Sequence, residues 1–230
     1  MRCVKAILWK QLKDTIKNKT ILIQFLMFPM MTIIMENAVK IENMPEHFFA
    51  VLFAGMYIGM APLTAMSAII AEEKEKNTLR VLLMSNVKPI EYLLGVGIYV
   101  WSICLLGSIV IAWAGGYKGI EVVRFVVIMA IGILVSLLMG AAIGVASKNQ
   151  MTATSVMMPV MMIFSFIPML SMFNDTIKKV GRLAYTQQIN NLLGSVNKLQ
   201  IQTETVVVIG ITILVTAVLF TVVYKKNGIE

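Results

Sequence analysis

The sequence predicts a polytopic all-α integral membrane protein, and three observations carry that prediction. Mean hydropathy is +0.83, and 58% of residues are hydrophobic, above the ~45–50% of a soluble domain. Only 14% are charged, too few to clothe a 230-residue globule in polar surface. The apolar residues also fall into runs close to the ~20 residues that cross a hydrocarbon core. The length is that of one domain, read as a single transmembrane unit over 1–230.

The first element is an amphipathic helix over 1–18. Val4, Ile7, Leu8, Leu12 and Ile16 recur at helical spacing, Lys10, Lys13 and Lys17 lie opposite, and Trp9 marks the boundary. Such a helix lies in the membrane interface with its lysines toward lipid headgroups; the plain basic flank of a first span is the alternative. Six spans follow, at 20–36, 48–71, 90–115, 121–147, 151–173 and 204–224. The first is short with a basic flank, as in a signal peptide, but ENAVKIENM after it is a poor small-residue cleavage site. Pro159 and Pro168 interrupt the fifth span, which is expected to break and re-enter near the outer face. An outer amphipathic segment over 174–203 comes next, with Leu183, Ile189, Leu192, Leu193 and Val196 inward and Gln187, Asn190 and Asn191 toward water.

Charge sets the orientation. Arg2, Lys5, Lys10, Lys13, Lys17 and Lys19 precede the first span; Lys74, Lys76, Arg80 and Lys88 lie between the second and third; Lys225 and Lys226 close the chain. The loop 36–47 has Lys40 beside Glu36, Glu42 and Glu46. The positive-inside bias puts both termini and the 72–88 loop on the cytoplasmic side of the membrane, and the expected location is a bacterial cell membrane. Lys178, Lys179, Arg182 and Lys198 in the outer loop run against the bias. The net charge of +8 sits at the ends of apolar runs, which argues for topology and membrane lipids and against nucleic acid.

Little chemistry is encoded elsewhere. Cys3 and Cys104 make no disulfide framework, and His47 reads as a solvated loop residue; no metal site is expected. No GxxxxGK[ST] loop, HExxH or GxSxG occurs. Glu91, Glu121 and Arg124 sit near span ends and the span interiors lack ionisable groups, unlike gradient-driven carriers with their intramembrane relays. A transporter of this kind must draw energy from another subunit.

The 72–88 loop supplies a handle. Its run Glu72-Glu73-Lys74-Glu75-Lys76-Asn77-Thr78-Leu79-Arg80, followed by Val81-Leu82-Leu83-Met84-Ser85-Asn86-Val87, resembles the cytoplasmic loop of ABC-2 type transporter permeases. Asn77 stands where glycine is common there, and Arg80 where an acid is common. The interfacial helix, the six spans and the broken fifth span extend the resemblance over nearly the whole chain. It implies a half-size transmembrane subunit that pairs with a second, identical or related, and with two ATPase subunits; ATP and magnesium would be held by those, and this chain would bind no cofactor and catalyse nothing itself. The loop would be a coupling helix: Leu79, Leu82 and Leu83 its apolar side, Thr78 at its start, and Glu72, Glu73, Glu75 and Arg80 charges that set register.

In the resembled family the second and fifth spans line the pathway. That assigns Met56, Met60 and Met66 with Met157, Met158, Met161, Met162, Phe164 and Phe166 to it, a flexible surface suited to varied apolar cargo. The glycine pairs Gly55/Gly59 and Gly140/Gly144 permit close helix approach, within the chain or between subunits. Two function classes stand: an ABC exporter permease for an amphipathic or hydrophobic peptide or drug-like compound, or a non-transporting membrane scaffold or assembly factor. Within the first class sodium, lipid, polysaccharide or haem remain open as cargo, although a polysaccharide path would show more aromatics than 8%.

Overall fold

The computed structural model describes residues 2–39, 45–84, 87–197 and 201–227, without the side chains of Arg2, Cys3, Ile16, Lys17, Thr20, Leu83 and Asn227. Cys3, Ile16, Lys17 and Leu83 as side chains, and Lys40, Glu42, Asn43, Ser85, Asn86 and Lys198 altogether, thus lie outside the described residues. Among those described, the chain is all helix: α1 Arg2–Lys17, α2 Lys19–Ala38, α3 Phe48–Glu75, α4 Thr78–Met84, α5 Pro89–Ala114, α6 Ile120–Ala146, α7 Gln150–Leu170, α8 Asp175–Gly181, α9 Tyr185–Gly194 and α10 Thr203–Asn227. Six of them, α2, α3, α5, α6, α7 and α10, are long and apolar enough to cross a membrane.

Helix α3 is the centre of the bundle. It packs against α2, α5, α6, α7 and α9, and most of its residues are buried. Glycines and short side chains make this possible, because lipid-phase packing depends on close backbone approach. Gly140 faces the Leu63 carbonyl and Met66, Gly144 faces Ile70, and Gly59 faces the backbone of Ser165. Both glycine pairs are therefore spent inside the chain. Helices α2, α7 and α10, by contrast, leave broad apolar faces exposed.

Pro62 removes one helical donor from α3 and frees the Ile58 carbonyl. The Ser136 hydroxyl of α6 donates to that carbonyl at 2.6 Å, and the Tyr185 hydroxyl of α9 lies 2.7 Å from the same Ser136 oxygen. The expected break in the fifth span is displaced: α7 carries Pro159 and Pro168 within one helix, and the chain turns only after Leu170. Pro168 is buried against neighbouring helices and Pro159 lies on the exposed side of α7, and both are accommodated without ending the helix.

Helix α9 departs from the amphipathic reading. Gln187 and Asn190 are buried and Leu183 is exposed, while Ile189, Leu192, Leu193 and Val196 are buried. The helix is enclosed by α3, α6, α7 and α10, so its polar side also meets protein. Gly55 makes room for the Asn190 amide, and Thr205 donates to Gln188 across 2.8 Å.

Candidate functional site

The charged run between the second and third spans folds as the end of α3, a turn and the short α4. Glu72, Glu73 and Glu75 ride on the last turn of α3. Asn77 then adopts φ 55°, the left-handed region that favours glycine and tolerates asparagine. That conformation reverses the chain into α4, and it explains why glycine suits the position. The Thr78 hydroxyl reaches back to the Glu73 carbonyl at 3.2 Å.

The acids and bases of this run face different neighbours. Glu73 is buried; its Oε1 accepts from Lys10 Nζ at 2.6 Å and from the Gln11 amide of α1. Lys74 Nζ donates to the Val145 carbonyl at the end of α6 at 2.7 Å. Glu75 accepts from the Gln150 N–H at the start of α7 at 2.8 Å, where an acid complements the helix dipole. Glu72 pairs with Lys76 one turn on, which holds the Lys76 ammonium above its usual value. Glu73 and Glu75 are thus used within the chain. Lys10, read as facing headgroups, turns inward instead, because the buried stripe of α1 runs through Ile7, Gln11 and Thr15 and leaves Trp9 and Leu12 outside.

Helix α4 presents a different surface from the one its leucines suggest. Leu79 is 4% exposed and belongs to the core; Leu82 is half-buried against it. The outward side consists of Arg80 with Val81 at 62% and Met84 at 80% exposure. The sequence signal for these two was present in the 100° helical phase, which puts Val81 and Met84 together and away from Leu79. Beside α4 a polar cleft of about 540 Å³ opens between α1 and the end of α3, lined by Lys10, Asp14, Lys19, Glu72, Lys76 and Thr78 among others.

Within the apolar region, the described part of α3 is largely enclosed except for a stripe of Leu52, Met56 and Met60 at spacings of four. On one side of the stripe Phe53 and Tyr57 meet Phe28 of α2; on the other Gly55 and Gly59 meet α7. The stripe therefore floors a face walled by α2 and α7. Met158, Met162 and Phe166 are exposed on α7, Met161 and Phe164 are half-buried, and Met157 is buried. Phe164 turns inward to Tyr185, ring centroids 5.0 Å apart. Met66 does not share this face: six residues past Met60 it is rotated toward α5 and α6, 3% exposed, next to Gly97 and Gly140.

At the far end of the bundle His47 is not a solvated loop residue. It caps α3 at φ 60°, stacks on Tyr117 with centroids 4.1 Å apart, and its Nδ1 hydrogen-bonds the Gly115 carbonyl. A carbonyl can only accept, so Nδ1 carries the proton. Burial pushes the Tyr117 phenol up, with Glu121 and Glu36 adding to it.

Residues 4–225 match a family model described as ABC-2 family transporter protein. No curated protein matches the chain.

Proposed function

The chain belongs to the ABC-2 family of transporter proteins, and we propose that it is the permease subunit of an ATP-driven exporter for an amphipathic or apolar peptide or drug-like compound. A permease role follows from the family; the direction, the cargo and the ATPase partner are the proposal. The observation that carries it is the placement of two features on one helix. Helix α3 bears the Leu52–Met56–Met60 stripe in the apolar region, and its last turn bears the acids and lysine bonded to α1, α6 and α7. A separate ATPase, holding ATP and magnesium, would seat on α4 at that end, which is cytoplasmic in this reading. The thioether-lined face would pair with a second permease subunit around the cargo, since methionine adapts its shape at little cost.

Reconstitution tests this. The purified chain alone in nanodiscs should not hydrolyse ATP. With an ATPase subunit that co-purifies with it, apolar peptides or dyes should stimulate hydrolysis and accumulate on the far side of inverted vesicles. Failure of any ATPase to co-purify or be stimulated would favour a scaffold.

A further inference from the structure

Helices α5 and α10 both lean on α6, and between them runs an apolar groove of about 320 Å³. Leu94, Ile98 and Trp101 of α5 and Phe220 of α10 wall it, over Leu134 and Leu138 of α6. Gly97 opens into it. A Cβ built there would meet only the Met66 methyl, at 4.0 Å, whereas one at Gly95 would strike Ile7 at 2.8 Å and one at Gly107 would strike Tyr57. The missing side chain at 97 therefore relieves no contact within the chain; it leaves room in the groove for an apolar group from outside.

The mouth of the groove is basic. Ile90 lines it at the start of α5, two residues after the exposed Lys88. On α10 the exposed Lys225 and Lys226 follow Phe220 by about one and a half turns of helix. The acid nearest in sequence, Glu91, uses its carboxylate to accept from the Lys88 backbone N–H at 3.3 Å. A second copy of the chain is a poor occupant: a parallel neighbour would bring its own lysine-rich helix ends to the same depth, and like charges repel.

We propose that this groove binds an anionic phospholipid of the leaflet at the lysine-rich end, with an acyl chain against Trp101 and Gly97 and the phosphate on Lys88 and Lys225. The apolar lining takes the chain, and each lysine near an anionic headgroup adds about fivefold in affinity. The site is separate from the α3–α7 face and stands whether or not the chain transports.

Trp101 reads the site directly. It lines the groove with its Nε1 donating to the Ala130 carbonyl at 3.3 Å, whereas Trp9 and Trp113 are 61% and 73% exposed. The full chain carrying Trp9→Phe and Trp113→Phe is mixed with brominated phosphatidylglycerol or brominated phosphatidylcholine, and Trp101 quenching is followed. Half-quenching should need severalfold less phosphatidylglycerol than phosphatidylcholine. Lys88→Gln with Lys225→Gln should abolish that preference and keep the quenching, and Gly97→Leu should weaken quenching by both lipids. Equal quenching in the parent, a preference that survives the lysine changes, or no quenching at all would overturn the proposal. The lysine substitutions are at exposed positions, so they decide the matter even if Gly97→Leu fails to fold.

Discussion

Lys10 and Glu73 are 63 positions apart in sequence and 2.6 Å apart in the fold, Nζ to Oε1. The Glu73 side chain is 8% exposed and that of Lys10 35%. Breaking a buried pair costs about 3–5 kcal/mol. Partial solvation of Lys10 and the remaining Gln11 bond lower this to about 1–2 kcal/mol for Lys10→Met. Replacing both by methionine should recover part of the loss, because no buried carboxylate is then left behind. Thermal unfolding in detergent, run as a double-mutant cycle, measures the coupling; additive effects would show that the two groups do not tie α1 to α3.

A second prediction separates folding from docking on α4. Leu79→Asp buries a charge in the chain's own core and should cost several kcal/mol of stability. Met84→Asp, at a largely exposed position, should leave unfolding unchanged and reduce capture of the ATPase at least tenfold. Normal capture by Met84→Asp would remove α4 as the seat.

The Ser136 hydroxyl supports the Pro62 site. Ser136→Ala leaves the Ile58 carbonyl and the Tyr185 hydroxyl without that partner, an expected loss of about 1–3 kcal/mol. Tyr185→Phe removes one partner only and should lose less. An equal loss for both would mean that the Ile58 carbonyl does not depend on Ser136.

Two glycines should respond oppositely to alanine. At Gly59 a Cβ would sit 2.7 Å from the Ser165 nitrogen, so Gly59→Ala must part α3 from α7 and lower the melting temperature. At Gly210 nothing lies within 4 Å, and Gly210→Ala should stabilise by about 0.5–1 kcal/mol. Both follow from thermal melts of the purified chain.

Cysteine labelling tests the orientation. Single cysteines at Lys76 and Lys148 should react only from the cytoplasm, and one at Lys118 only from outside. Lys74 and Glu75 already bind the ends of α6 and α7, so Lys76 and Lys148 must report the same side. Labelling of Lys76 from outside would invert the topology.

The six spans were legible because hydrophobic length needs no partner to be read. The Asn77 turn was legible too, as an asparagine in a position that suits glycine. What escaped was direction. Glu73, Lys10 and Asn190 look solvent-seeking in a linear reading, and each turns inward to a neighbour far away in sequence, while Gln187 is buried because α9 is enclosed on all sides. Leu79 and Val81 exchanged roles because the apolar side of a seven-residue helix can face either the core or a partner, and only the packing against the end of α3 decides. Grouping methionines by type joins Met66 to the stripe, whereas helical phase turns it about 120° from Met60, toward α5 and α6.

The turn at Asn77 has a mechanical consequence. Glu73, Lys74 and Glu75, just before it, clamp α3 to α1, α6 and α7, so the charged edge of the bundle is stiff. A thrust applied to α4 by the proposed ATPase would enter through a single left-handed residue directly onto that clamped edge, with no slack linker to dissipate it. Because α1, α6 and α7 share that clamp, a push there would tilt them together with α3 as one unit.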